Sequence, residues 1–170
     1  MSAASAKRTI RVTVNGEARE CDVEPRTHLV DCLREELGLK GSHLGCEHGV
    51  CGACTVRLDG EIVRGCLVLA VQADGGDVRT VEGLSANGTG RELQRAFVAR
   101  NALQCGFCTP GMLAAALELV EQRPNATRTQ VREWMSGNYC RCTGYHAIVD
   151  AVCEVLAQGA AAKTITGATG

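Results

Sequence analysis

Apolar residues fall at every second position through Ile10, Val12 and Val14, with Arg11 and Thr13 between them. A period of two predicts a strand with one buried face. Asn15-Gly16 follows, then a second extended run to Val23. Asn-Gly between such runs is the strongest short-range hairpin signal, so residues 8–23 are expected to form a β-hairpin. Past Pro25 the spacing changes: Leu29, Val30, Leu33 and Leu37 share one helical face and Gly38 is a natural stop, which predicts a helix over 27–37. A glycine-rich loop, 38–53, leads into a second hairpin, Thr55–Leu58 and Glu61–Arg64 around Asp59-Gly60, and 78–81 reads as a last strand. Beyond Glu82 the period is helical almost throughout. Leu93, Phe97 and Val98 mark a helix over 91–101. Met112, Leu113, Ala116, Leu117 and Val120 mark one over 111–122, with Thr109 as N-cap and Pro110 at the first position. Pro124 and Asn125 break the pattern, Thr127 and Gln130 form a capping box for a helix to Ser136, and a final helix covers 145–158.

Two hairpins, one helix across the sheet and a closing strand make a β-grasp-like module. The expected fold class is therefore α+β, an N-terminal β-grasp domain followed by a C-terminal four-helix domain. The predicted boundaries are 1–82 for the first domain, 83–90 for a Ser-, Asn- and Gly-containing linker, 91–158 for the second domain and 159–170 for a small, polar, flexible tail. The first seven residues are expected to fray in the same way.

A net charge of -1 over 170 residues argues against a polyanion-binding protein. Arg91, Arg95 and Arg100 share their neighbourhood with Glu92, as on a solvated helix face. No nucleic-acid partner is expected, and no apolar run approaches the roughly 20 residues of a membrane span. The first ten residues hold no hydrophobic export segment, which points to the cytoplasm. Disulfides are rare in that reducing compartment, so the eleven cysteines are read first as metal ligands.

Eight of the eleven fall in two groups. Cys46, Cys51 and Cys54 have the spacing C-x4-C-x2-C, with Cys66 following, which is the plant-type pattern for a [2Fe-2S] cluster. Gly45, Gly49 and Gly52 supply the backbone freedom to curl three thiolates around a small body, and free N–H groups to point at sulfur. Cys105 and Cys108 lie between the first two helices of the second domain, Cys140 and Cys142 between the last two. In an antiparallel bundle both connections reach the same end, so these four thiols can also meet. Taken alone, this second set suits a structural zinc as well as an iron-sulfur cluster. Of His28, His43, His48 and His146, only His48 lies inside a cysteine loop. A Rieske-type site replaces two cysteines with two histidines, and here all four cysteines are present. Cys21, Cys32 and Cys153 sit in apolar segments and read as small buried hydrophobes.

Three motifs in this order, 45–56, 104–111 and 140–145, resemble the iron-sulfur subunit of the molybdenum hydroxylases, the xanthine oxidase family that includes carbon monoxide, aldehyde and heterocycle dehydrogenases. The resemblance covers about residues 8–157. It implies two [2Fe-2S] clusters, one on Cys46, Cys51, Cys54 and Cys66 in a ferredoxin-like β-grasp domain, the other on Cys105, Cys108, Cys140 and Cys142. It further implies that Gln104 and Cys140 lie near the molybdopterin (dinucleotide) cofactor of a separate large subunit. Electrons would pass from there through the helical-domain cluster and the β-grasp cluster to FAD in a medium subunit or another acceptor. A dimer of heterotrimers is the implied assembly, and no substrate chemistry is expected in this chain.

Overall fold

A computed structural model describes the backbone of residues 6–86 and 88–166 and the side chains as far as Gly159. The chain is α+β. Strands β1 (Arg8–Val14), β2 (Glu17–Val23), β3 (Thr55–Leu58), β4 (Glu61–Arg64) and β5 (Asp77–Arg79) form one sheet in the order β2-β1-β5-β3-β4. β1 and β5 run parallel and the other neighbours antiparallel. Both expected hairpins form, and both turns use two consecutive left-handed residues: Asn15 (φ 53) with Gly16 (φ 88), and Asp59 (φ 51) with Gly60 (φ 93). β5 is shorter than expected, because it pairs only with Thr13 and Val14 on one side and Arg57 and Leu58 on the other. Val81 already belongs to a following 3-10 turn.

The helix expected over 27–37 is shorter and of mixed type. His28 caps it, its Nδ1 accepting the Asp31 N–H at 3.2 Å, and α1 (Leu29–Asp31) passes into a π turn, Cys32–Glu36. Leu29, Val30, Cys32 and Leu33 are all buried, and Leu37 N donates to Cys32 O, the longer reach of a π turn. Val12, Val14, Leu29, Leu33, Val56 and Val78 form the main core between this segment and the sheet.

The second half holds α2 (Gly88–Ala99), α3 (Thr109–Gln122), α4 (Arg128–Met135) and α5 (His146–Thr166) around Leu93, Phe97, Met112, Leu119, Met135, Ile148 and Val152. Three expectations change. In the stretch expected as the 83–90 linker, a 3-10 turn runs through Val81–Ala86, Leu84 joins the helical core, and α2 begins at Gly88. Cys108, not Thr109, occupies the N-cap of α3. The backbone of α5 continues to Thr166, past the expected end at Gln158. Residues 1–5, Asn87 and 167–170, on which the expectations of a frayed start, part of the linker and part of the flexible tail fell, lie outside the described residues. No described helix is long and apolar enough to cross a membrane.

The domains are locked together. α3 lies along β3 and β4, where buried Glu118 accepts the Ile62 N–H at 2.7 Å and Glu121 pairs with Arg57 at 2.6 Å. This docking brings the two cysteine-bearing regions to one face of the joint.

Candidate metal centres

The loop before β3 carries three thiols of the first set. Its curl uses Glu47 (φ 55), Gly49 (φ 74) and Gly52 (φ 76). Gly45 takes no left-handed conformation; it is spared a side chain because a Cβ there would sit 3.1 Å from Cys51 Sγ. The N–H groups of His48 and Cys51, rather than those of the glycines, donate to Cys46 Sγ at 3.4 Å each. The Cys51 and His48 donors bring the Cys46 thiol down to about 6. His48 turns its ring Nδ1 to the Cys46 carbonyl. Cys54 and Cys66 are buried against Val30. The β3–β4 pairing of Thr55 with Arg64 sets them side by side, and Gly65 N donates to Cys54 O at 3.1 Å. Burial, then the neighbouring Cys66, raises the Cys54 thiol to about 11.

The second set draws its thiols from two helix connections and brings them together in pairs. Cys142 and Cys105 bring their sulfurs to 3.6 Å at an exposed edge. Their shared hydrogen bond is the main cause of a raised Cys142 pKa. Cys108 is buried beside Cys140, and burial followed by that neighbour pushes it up to about 12. At Cys140 burial acts upward, yet the Thr143 hydroxyl, donating at 3.1 Å, and nearby backbone N–H groups leave its pKa lowered. Tyr145 OH accepts the Cys140 N–H at 2.8 Å and donates to Asn138 O at 3.0 Å. Exposed Gln104 donates Nε2–H to Cys142 O at 3.1 Å.

In both sets the thiols are arranged as pairs: Cys46 with Cys51 and Cys54 with Cys66, then Cys105 with Cys142 and Cys108 with Cys140. Among the described residues no three His, Cys, Asp or Glu side chains converge on a single point. Two pairs facing two metal atoms is the donor pattern of a four-cysteine [2Fe-2S] cluster. Backbone N–H groups aimed at Cys46 and a hydroxyl aimed at Cys140 suit thiolates that share cluster charge. Thr109 Oγ1, buried beside Cys108 without a hydrogen-bond partner, leaves one further donor unspent.

A bridge that the sequence does not reveal joins the two sets. Tyr139 N, next to Cys140, donates to the carbonyl of Cys51 at 2.8 Å. Asn138, only 2% exposed, donates Nδ2–H to Gly52 O at 2.9 Å and to Thr55 Oγ1 at 3.2 Å. Arg64 reaches across to Gly137 O at 2.5 Å. His43 stacks on Phe107 at 4.7 Å between ring centroids, and its Nδ1 lies 2.8 Å from the Phe107 carbonyl. Gly111, at the start of α3, approaches so closely that a Cβ would fall 2.1 Å from Gly52 O. The sequence marks none of Tyr139, Asn138, Arg64, His43, Phe107 and Gly111 as bridging residues except by nearness to a cysteine. Cys21, Cys32 and Cys153 stand apart from both sets against apolar side chains.

Comparison with known proteins divides the chain the same way. The family described as "2Fe-2S iron-sulfur cluster binding domain" matches residues 12–82, and "[2Fe-2S] binding domain" matches residues 80–153. The caffeine dehydrogenase subunit gamma of Pseudomonas sp. (strain CBB1) is 51% identical over 158 residues, covering 91% of this chain and 95% of the relative. The nicotine 6-hydroxylase small subunit of Paenarthrobacter nicotinovorans is 54% identical over 149 residues, covering 88% and 90%. A chain of the crystal structure of quinoline 2-oxidoreductase from Pseudomonas putida 86 is 52% identical with a TM-score of 0.86, covering 92% of this chain and 97% of that one.

Proposed function

This chain belongs to the family of small iron-sulfur subunits of molybdenum hydroxylases, and from that premise we propose which residues carry its electron-transfer role and what they face. It is a component of an oxidoreductase complex with two [2Fe-2S]-binding domains, and its partner is a large subunit. When bound, the clusters supply one-electron carriers; the protein spaces and tunes them. Cys46, Cys51, Cys54 and Cys66 would hold the first, and Cys105, Cys108, Cys140 and Cys142 the second. Gly45, Gly49 and Gly52 shape the first loop. Gln104 and Cys140 would face the molybdopterin of the large subunit, the exposed position of Gln104 leaving it free to do so. FAD in a medium subunit is the proposed acceptor, a dimer of heterotrimers the proposed assembly, and the cytoplasm its compartment. Relatives named for caffeine, nicotine and quinoline make an N-heterocycle the first substrate to try with the holoenzyme.

The observation that carries this reading is the Tyr139 N–H···O=C Cys51 hydrogen bond at 2.8 Å. It links one proposed ligand of the first cluster to the residue beside a proposed ligand of the second by backbone alone. The test is iron, acid-labile sulfide and zinc per chain, with an EPR spectrum of the dithionite-reduced protein. About four iron and four sulfide with two rhombic signals is the expected result. About two iron with stoichiometric zinc would make the helical half a structural zinc domain and end the proposed path.

A further inference from the structure

Two cysteines outside both metal-binding sets are brought together by the fold. Cys21 Sγ and Cys32 Sγ lie 3.4 Å apart, although neither their spacing nor their surroundings match a metal site. We propose that Cys21 and Cys32 are a redox-sensitive pair that closes to a disulfide on exchange with a small-molecule disulfide of the glutathione class, tying β2 to the π turn. The sulfurs need to approach by only about 1.4 Å to reach the usual bond length of about 2.05 Å. Their environment is apolar, built of Ile10, Val23 and Ala70 with Leu37 and Val71 at its margin.

The two thiols are not equivalent, and their difference sets the order of events. β2 is an edge strand and Cys21 is half-buried, so an oxidant reaches its sulfur from solvent. Cys32 has no exposed surface and is reached only through Cys21. Burial raises both thiols, but hydrogen bonding within the pair lowers Cys21 and raises Cys32, which is pushed up to about 12. Cys21 is therefore the attacking thiolate. Its sulfur bonds to one sulfur of the oxidant, the S–S bond of the oxidant breaks, and one small thiol leaves with the Cys21 proton. Cys32 Sγ then attacks the Cys21 sulfur of this mixed disulfide, the second small thiol departs with the Cys32 proton, and the Cys21–Cys32 bond remains. The pair loses two electrons and the oxidant gains them. Low thiolate content makes the exchange slow, so the pair answers a sustained change of redox poise rather than a brief one.

The lock bears on the first metal-binding region. Val30 lies two residues before Cys32, packs on Cys54 and Cys66, and donates its N–H to Gly65 O at 3.3 Å. Bracing the turn at Cys32 braces the floor of that region, so the oxidised chain is expected to release iron to a chelator more slowly than the reduced chain.

The experiment uses the full chain with its clusters loaded. Samples are equilibrated in mixtures of oxidised and reduced glutathione, blocked with N-ethylmaleimide in denaturant and digested with trypsin without reductant. Cleavage after Arg19, Arg26 and Arg34 separates Cys21 on 20–26 from Cys32 on 27–34. The expected product under oxidising poise is these two peptides joined, at a mass two hydrogens below their sum. It should vanish completely in Cys21→Ser, and in Cys32→Ala glutathione should stay attached to Cys21. Recovery of both peptides as N-ethylmaleimide adducts across the whole redox range overturns the proposal. So does a glutathione adduct that persists on Cys21 in the unsubstituted chain.

Discussion

Cys46, Cys51 and Cys54 come from one loop and are completed by Cys66 at the foot of the adjacent hairpin, whereas the second set draws Cys105 and Cys108 from one helix connection and Cys140 and Cys142 from another. The first set is local. Its curl is fixed by three left-handed residues and by N–H groups within the loop itself, and half of it is sunk in the β-grasp core beside Val30. The second exists only when α2 through α5 have packed, and two of its thiols, Cys105 and Cys142, remain exposed. A buried site is coupled to the stability of its domain; an exposed rim is coupled mainly to what docks on it. The largest test of this contrast compares Cys54→Ser with Cys142→Ser. Each should remove about half of the iron, two atoms of about four per chain, and one EPR signal. Cys54→Ser should also destabilise the chain by about 1–3 kcal/mol, because it leaves a hydroxyl among Val30, Cys66 and Leu44. Cys142→Ser should leave the melting temperature of the metal-free chain unchanged. Loss of both signals in Cys142→Ser would mean that the two sites are one cooperative unit.

Spacing made the first set legible as a candidate, because Cys46, Cys51 and Cys54 share one short loop. The two hairpins were legible for the same reason: Asn15-Gly16 and Asp59-Gly60 can adopt the left-handed pair that a two-residue turn demands, and they do. The second set was legible as two cysteine pairs, and the four-helix pattern supplied the reason for them to meet. What the sequence concealed is the joint between the domains. Asn138 carries no periodic or turn signal that assigns it to Gly52, and its role depends on α3 docking on β3 and β4, a contact between distant segments. The π turn at Cys32–Glu36 was hidden because the apolar spacing of Leu29, Val30, Leu33 and Leu37 suits an ordinary α-helix equally well. Gly45 is a subtler case. Its place among loop glycines suggested backbone freedom, while the structure reserves it for the volume of Cys51 Sγ.

The joint itself is tested by Gly111→Ala. In an exposed helix this change would stabilise by up to about 1 kcal/mol through backbone entropy. Here the new Cβ would lie 2.1 Å from Gly52 O, which is backbone and cannot rotate away. Overpacking should win, with a net loss of about 1–3 kcal/mol and a melting temperature lower by about 2–4 °C for each kcal/mol in a chain of this size. Because the strain separates the two cysteine-bearing regions, magnetic coupling between the two EPR signals should also weaken. A stabilised Gly111→Ala chain would show that the α3–Gly52 contact relaxes freely.

Proton linkage distinguishes the sets in the metal-free chain. Cys46 is held down to about 6 by N–H donors, and Cys108 is pushed up to about 12 by burial and its Cys140 neighbour. Iodoacetamide at neutral pH should therefore label Cys46 first and Cys108 several orders of magnitude more slowly, following the fraction present as thiolate. The signs for stability are opposite. Cys46, with a folded pKa below the unfolded one, contributes stability that is complete above about pH 9 and is lost as pH falls through about 6. Cys108, with a raised folded pKa, contributes stability complete below about pH 9 and lost as pH rises through about 12. Peptide mapping of alkylation, with urea melts at pH 6, 8 and 10, checks both. Equal labelling rates at the two thiols would remove the electrostatic half of the contrast.

The smallest expected effect lies at Tyr145, where the second site touches the joint. Its hydroxyl accepts from Cys140 N and donates to Asn138 O, so Tyr145→Phe strips one partner from each while preserving the ring. Cys140 is half-buried, so water can replace the partner its N–H loses, while the carbonyl of buried Asn138 goes without, and the net destabilisation should be about 1 kcal/mol. The change should fall on one side of the joint. Chelator release of iron from the second site should quicken as Cys140 loses its anchor, while release from the first, held by its own loop donors, keeps its rate. The first site is reachable from Tyr145 through Asn138 and its bond to Gly52 O, and through Tyr139 and its bond to Cys51 O, contacts that survive the substitution. Equal acceleration at both sites would show that the bridge through Asn138 and Tyr139 transmits the disturbance and that the first loop depends on the helical domain for its shape. Acceleration confined to the second site would establish that the joint holds the two centres in place without making either depend on the other.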